Sequence, residues 1–266
     1  MIRVLVDACL LVKGTVSNVL FDLHQAGLVA LHWTPEIGDQ FVKNWAKRRI
    51  DNANGERKRQ KLSPLNLAEE VTLRLAAEEK ARKRLGKFEL MAVEWRIPGW
   101  NAGVMAAAHP PTTLGVGQRG GDGVHAGDYE VALGAICLGE RFPTDEIWLA
   151  TENIGHLPPK VMISFRVWAM EQGLLLEKLH MAKPLAVQLA LEKTMAEFQD
   201  PKFTKEMMLN VLGHPDHFGT APVKAAIANA WGLAQPTVAV PASPPAQPKK
   251  AKTTPLSTGK DQNSTA

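Results

Sequence analysis

IRVLVDACLL (residues 2–11) is the stretch from which the rest of the chain is read. Its first five residues are rich in Val, Leu and Ile, too β-branched and too short a run for a confident helix, and they read as a buried strand. One acid, Asp7, follows directly, with the small residues Ala8 and Cys9 behind it. In open α/β sheets ligands bind just beyond the carboxyl ends of the strands, so an acid there is placed to hold a metal ion. The same position also suits a residue that merely caps the next helix. Both readings of Asp7 stay open on this stretch alone.

Outward from that strand, residues 16–25 carry Val16, Val19, Leu20 and Leu23 at helical spacing, and Gly27 stops them. LVALHW (28–33) alternates as a second strand. Thr34-Pro35-Glu36 is a helix start, with proline at the first helical position and an acid in the first turn. The helix runs over 36–49 with Ile37, Phe41 and Trp45 on one face, and Asn52-Ala53-Asn54-Gly55 breaks it. Residues 65–85 predict a long amphipathic helix with Leu67, Val71, Leu75 and Ala81 on its stripe. A strand is expected over 88–95, and the Gly-, Ala- and Pro-rich segment 98–127 reads as a flexible loop without a phosphate-binding fingerprint. Asp128 opens a helix containing Val131, Ala135 and Ile136, again as a natural cap. DEIWLAT (145–151) is the next strand, 161–171 a helix and 174–179 a last strand. Alternating strands and helices make this an α/β domain with a largely parallel sheet, spanning 1–181. Helices over 183–198, 204–212 and 221–231 follow without strands, a helical C-terminal extension covering 182–232. His214 and His217 within it read as a surface turn. The tail, 233–266, has too little to bury and is expected to be disordered.

Composition bounds the partners. The 266 residues are 45% hydrophobic, enough for a sizeable core, and no apolar run is long enough to span a bilayer. The short N-terminal run meets Asp7 too soon for a secretory signal, and the two cysteines, Cys9 and Cys137, sit in apolar contexts that predict free thiols in a reducing cytoplasm. The net charge of +4 is mostly the tail's, where Lys249, Lys250, Lys252 and Lys260 face only Asp261. A second basic run lies between positions 43 and 61, where eight Lys and Arg residues face Asp51 and Glu56. Such a run either tracks phosphates or is a solvated helix face.

The acids acquire a common meaning in their order. VLVDACLL (4–11), WTPEIGDQFVKNW (33–45), DYEVALGA (128–135), WLATENIGHLP (148–158) and KPLAVQLALEKT (183–194) resemble the PIN-domain nucleases, in particular the VapC-type toxins that carry a helical C-terminal extension. The resemblance runs to about residue 232. It implies a PIN-like three-layer fold and a Mg²⁺- or Mn²⁺-dependent endoribonuclease, the cytoplasmic toxin of a toxin–antitoxin pair. RNA would be the substrate and a small antitoxin protein the partner, with no membrane association and room for a homodimer. Asp7 and Asp128 match family acids and are the implied metal ligands. Asn153 matches the polar residue of the family's T-x-N motif, supported by Thr151, while Glu152 between them points the other way. Two positions depart from the pattern. Gln40 stands where the family has an acid, with Asp39 adjacent and Glu36 one turn back, and His156 stands where an acid often follows T-x-N. Those departures keep a second class of function in view, a weakened or catalytically silent PIN-fold binding protein. A DNA-directed nuclease is a further alternative for which the chain lacks a duplex-binding module.

Overall fold

In the computed structural model, which describes residues 1–116, 123–198 and 202–233, four strands form one all-parallel sheet in the order β2-β1-β3-β4. They are β1 (Ile2–Val6), β2 (Ala30–His32), β3 (Glu146–Ala150) and β4 (Val167–Met170). Val4, Leu5 and Val6 are all fully buried. Successive strand residues point to opposite faces, so three in a row at zero exposure mean that both faces of β1 are covered. Each such side chain contributes about 1.5–3 kcal/mol by leaving water. That burial is why the first strand is legible and central.

The short helix α1 (Ala8–Leu11) and then α2 (Gly14–Gln25) return the chain to β2. Gly27, at φ 69°, ends α2 in the left-handed region that a side chain would strain, and its N–H bonds to the His24 carbonyl at 2.9 Å. Helix α3 (Pro35–Arg59) begins where expected, with Thr34 Oγ1 accepting from the Ile37 N–H at 3.3 Å. It does not break at 52–55. The expected stop carried no proline, and an exposed glycine lowers helix stability by only about 1 kcal/mol, so the helix runs through Gly55.

Helix α4 (Leu67–Met91) opens on a capping box made by Asn66 and Glu69. It corrects the strand expected over 88–95. Ala77, Ala81, Arg84 and Phe88 fall at helical spacing and carry the buried face onward, placing Phe88 against Phe21 with ring centroids 4.2 Å apart. The loop after α4 then stacks Trp95 on Trp33 at 4.9 Å. Arg84 donates to Gly14 O, Ser17 Oγ and Asn18 Oδ1 and sits over the Phe88 ring, tying α4 to the start of α2.

Of the loop expected over 98–127, residues 117–122 lie outside the described residues. The described parts are more structured than a flexible loop: α5 (Ala102–Ala108) forms, and Leu114 and Val124 are buried and joined by a backbone bond of 3.0 Å. Helix α6 (Tyr129–Arg141) packs on β1, β3 and β4, close enough that a Cβ on Gly134 would meet Thr34 Cγ2 at 2.9 Å.

Two further expectations are corrected beyond β3. The helix read over 161–171 is a short α7 (Pro159–Ser164) followed by β4, and Arg166, at φ 62°, makes the turn between them. Residues 174–179 are not a strand but belong to α8 (Gln172–Ala182), which buries Leu175, Leu176 and Leu179 along one helical face. The sheet therefore has four strands rather than five.

Three helices complete the described chain: α9 (Pro184–Glu197), α10 (Lys205–Gly213) and α11 (Ala221–Ala230). They follow the sequence reading closely. Helix α9 packs on α2, where Thr194 donates to the buried Asp22 Oδ2 at 2.5 Å and Lys193 pairs with Oδ1 at 2.8 Å. The tail read as disordered lies outside the described residues apart from Leu233. Among the described residues no helix is long and apolar enough to cross a membrane.

Candidate metal centre at the carboxyl edge of the sheet

Strand order 2-1-3-4 reverses direction between β1 and β3, because the chain leaves β1 toward one edge and later returns to its other side. That reversal opens a crevice beyond the carboxyl ends of those two strands, the usual ligand position in open α/β sheets. The register pairs Val6 with Ala150, and the Asp7 N–H continues the ladder to Ala150 O at 3.1 Å. Asp7 and Thr151 are therefore set side by side at the crevice by backbone geometry. Thr151 is fixed from the other side by its own N–H on Met170 O at 3.1 Å.

Asp7 and Asp128 both stand at helix N-cap positions, yet neither side chain caps. Asp7 is only 3% exposed. Its Oδ2 accepts from Thr151 Oγ1 at 2.7 Å and from Cys9 Sγ at 3.1 Å. Burial pushes the Asp7 carboxyl above its ordinary range; the hydrogen bonds from Thr151 and Cys9 offset this in part, and the nearby charge of Asp128 adds to the rise. Burial and the Asp7 charge likewise raise the Cys9 thiol, which keeps its proton and serves as a donor.

The segment after β3 folds back on itself. Thr151 Oγ1 accepts the Asn153 N–H at 2.9 Å while donating to Asp7, and Asn153 O accepts the His156 N–H at 2.8 Å. This turn delivers two side chains to Asp128: Asn153 Nδ2 donates to Oδ1 at 3.4 Å, and His156 Nδ1 lies 3.0 Å from Oδ2. His125 reaches the same Oδ2 at 3.7 Å from the turn preceding α6. Its ring stacks on that of His156 with centroids 4.5 Å apart. His125, Asp128 and His156 each bring one ligand atom within 4.8 Å of the others, a group that can hold a metal ion.

Four of the sequence-derived site residues thus converge: Asp7, Asp128, Thr151 and Asn153. No hydrogen bond or ion pair joins the other two to them. Asp39 is exposed and Gln40 half-buried near the start of α3, and their side chains take no part in this network. Glu36, one turn back, instead accepts from Trp100 Nε1 at 3.0 Å. Glu152, beyond the end of β3, pairs with Lys13 and accepts from Gln172 Nε2 at 3.1 Å.

Sequence reasoning missed His125 entirely. The signal for it was the His-x-x-Asp spacing of residues 125–128 at a helix start, hidden inside a segment read as loop. Cys9 is read from the sequence as a small residue and a free thiol, without the role it takes here as a hydrogen-bond donor to Asp7.

Comparison with known proteins returns no match, whether to family models, to curated proteins or to solved structures.

Part of the basic run lies near the end of α1. Arg48 and Arg49 line a small cavity of about 120 Å³ together with Val12 and Trp45, one turn beyond Asp7 along the chain. All eight basic side chains between 43 and 61 are exposed except Arg57, which is half-buried and pairs with Glu69 at 3.6 Å.

Proposed function

We propose that the chain is a divalent-metal-dependent endoribonuclease of the PIN-like class, the toxin half of a toxin–antitoxin pair, hydrolysing RNA phosphodiester bonds. The observation that carries this reading is the meeting of Asp7, Thr151, Asn153 and Asp128 at the reversal point of a parallel sheet. Those residues come from three separate parts of the sequence, and a merely structural role for both acids is disfavoured because neither one caps its helix.

The residues divide the work. Asp128, 12% exposed at its side chain, is the acid open to a ligand, and Asn153 fixes one of its oxygens. Asp7 lies behind it, oriented by Thr151 and Cys9. A divalent cation held at this centre supplies positive charge to offset the charge that develops on the phosphoryl oxygens. His156 Nδ1 stands 3.0 Å from the other oxygen of that carboxylate, so the ring and the acid face the ligand together. Lys47, Arg48 and Arg49 are exposed cations that track the phosphates of a single strand toward the edge. The same reading carries a small antitoxin protein as partner, allows a homodimer and places the chain in the cytoplasm.

A second reading keeps the fold without the chemistry, a silent PIN-like binding protein. It is favoured by one observation, that Asp39 and Gln40 stay outside the network and leave the centre short of a third acid. Cleavage of a mixed RNA substrate by the tag-free chain with Mg²⁺ or Mn²⁺ separates the two. The nuclease reading expects cleavage that Asp128→Asn reduces by about 100-fold or more, since even outer partners of metal ligands carry 10–100-fold. Equal rates for the two proteins would leave the binding reading standing.

A further inference from the structure

The donors that meet at Asp128 are not those a hard cation prefers. Mg²⁺ takes an octahedron of oxygens, usually keeping several waters on one or two carboxylates, whereas imidazole nitrogen suits zinc and its neighbours in the first transition row. Here one carboxylate oxygen, Asp128 Oδ2, faces two imidazole nitrogens, His156 Nδ1 at 3.0 Å and His125 Nδ1 at 3.7 Å. We propose that His125, Asp128 and His156 form a three-ligand site for a borderline transition-metal cation of the zinc and cobalt type. The proposal rests on the reading of this edge as a metal centre, but not on RNA as its substrate.

The convergence of two imidazoles on one carboxylate oxygen is the main reason. His125 Nδ1 accepts the Gly127 N–H at 3.1 Å, so that nitrogen carries a lone pair and not a proton. A cation entering the 3.7 Å space between it and Asp128 Oδ2 takes over that lone pair in place of the Gly127 N–H. The two histidines are also tied together before any ligand arrives. The backbone N–H of His125 bonds to His156 O at 2.9 Å, and the rings stack with 22° between their planes. The remaining oxygen of Asp128 is steadied by Asn153, the kind of outer partner that orients a ligating carboxylate.

The fit needs only side-chain movement. Ligands about 2.1 Å from one tetrahedral ion stand about 3.4 Å apart, against a widest separation of 4.8 Å here. The His125 and His156 side chains are 60% and 52% exposed, so both rings are free to turn inward. Three protein ligands with one side open to solvent is the pattern of a reactive site rather than a closed structural one.

The test uses tag-free, full-length protein stripped with a chelator, and the metal alone as probe. Co²⁺ is titrated and its visible absorption followed, with Zn²⁺ and Mg²⁺ as competitors. Expected are visible bands that saturate near one equivalent, are displaced by Zn²⁺ and survive a large excess of Mg²⁺. His125→Ala and His156→Ala should each weaken Co²⁺ binding by more than about 100-fold, beyond the 10–100-fold that outer partners carry. Both side chains are mostly exposed, so the variants keep the wild-type circular dichroism. Asp128→Asn is the third arm, and His214→Ala, from the other histidine pair, should leave the bands as they are. Absent bands, or bands indifferent to both histidines, would overturn the site. Histidine-dependent bands without any RNA cleavage would uphold the site while removing the nuclease reading. Mg²⁺-supported cleavage that persists unchanged in both histidine variants would do the reverse.

Discussion

Thr151 donates its hydroxyl to the buried Oδ2 of Asp7 at 2.7 Å, joining the ends of two neighbouring parallel strands at the point where strand order reverses. That bond makes the first acid of the chain a fixed part of a crevice, although its own helix has no use for it as a cap. It also leaves an ionisable group deep in the protein, and the first consequence is a matter of stability.

Because burial and the Asp128 charge raise the Asp7 carboxyl in the folded state, the protonated form is the one folding favours. For an acid shifted upward, the stabilising contribution is present at low pH and is lost as pH rises through the folded pKa. Asp7→Asn should therefore melt above the wild type at pH 7, the two converging as pH falls toward the ordinary carboxylate value of 3.8. Each kcal/mol recovered moves Tm by about 2–4 °C in a chain of this size. A lower Tm for Asp7→Asn at pH 7 would contradict the assignment of Asp7 as a strained ionisable group.

His32 gives the opposite pH dependence. It is 1% exposed and accepts from Arg3 Nη1 at 3.2 Å, and burial, reinforced by the Arg3 charge, holds it down to about 4 from an ordinary 6.5. A histidine kept neutral in the fold but free to protonate when unfolded destabilises progressively as pH falls between those two values. The loss should reach roughly 2 kcal/mol at pH 5, read by urea unfolding at pH 7.5 and 5. His32→Asn should flatten that difference; an equal loss in both proteins would place the sensitivity elsewhere.

Thr194→Val tests how firmly the C-terminal helices belong to the sheet domain. Thr194 is fully buried and its hydroxyl satisfies Asp22 Oδ2, leaving Lys193 as the other partner of that carboxylate. Removing a hydrogen bond to a buried charge costs about 1–3 kcal/mol, and one cooperative transition should shift as a whole. A separate early transition for the helical segment would show that it unfolds by itself.

The parts of this structure that were legible in the sequence are those where one local signal suffices. Val4, Leu5 and Val6 announce a strand covered on both faces, Gly27 ends a helix, and Thr34-Pro35 starts one. The helices from Pro184 to Ala230 follow their periodicity closely. The misread segments have in common that periodicity alone could not decide. Leu174-Leu175-Leu176 looks like a buried strand run, but burial at 175, 176 and 179 is helical. Arg166 turns the chain by a left-handed conformation that arginine does not advertise. At the crevice, the residues that hydrogen bonds link, Asp7, Thr151, Asn153 and Asp128, are ones the resemblance singles out by their order along the chain. His125 is not among them, because its position depends on the turn after β3 folding back to pair with it.

The basic run makes a prediction about affinity. Lys47, Arg48 and Arg49 replaced together by Ala should weaken binding of single-stranded RNA across sequences. The slope of log K against log salt should flatten by about 2, at about 0.7 for each phosphate no longer neutralised. An unchanged slope would mean that this face of α3 is simply solvated.

The central claim is that Asp7 and Asp128 serve one centre, and a double-mutant cycle on RNA cleavage tests it most directly. Single-turnover rates are measured for wild type, Asp7→Asn, Asp128→Asn and the double variant, with the metal ion at saturation. Residues that act as a unit are strongly non-additive, one loss already removing what the pair achieves together. The expected result is a large fall for each single variant and a double variant no slower than the slower single. Losses that multiply would place the two acids at separate sites, and a wild-type rate no higher than the double variant's would remove the catalytic reading altogether.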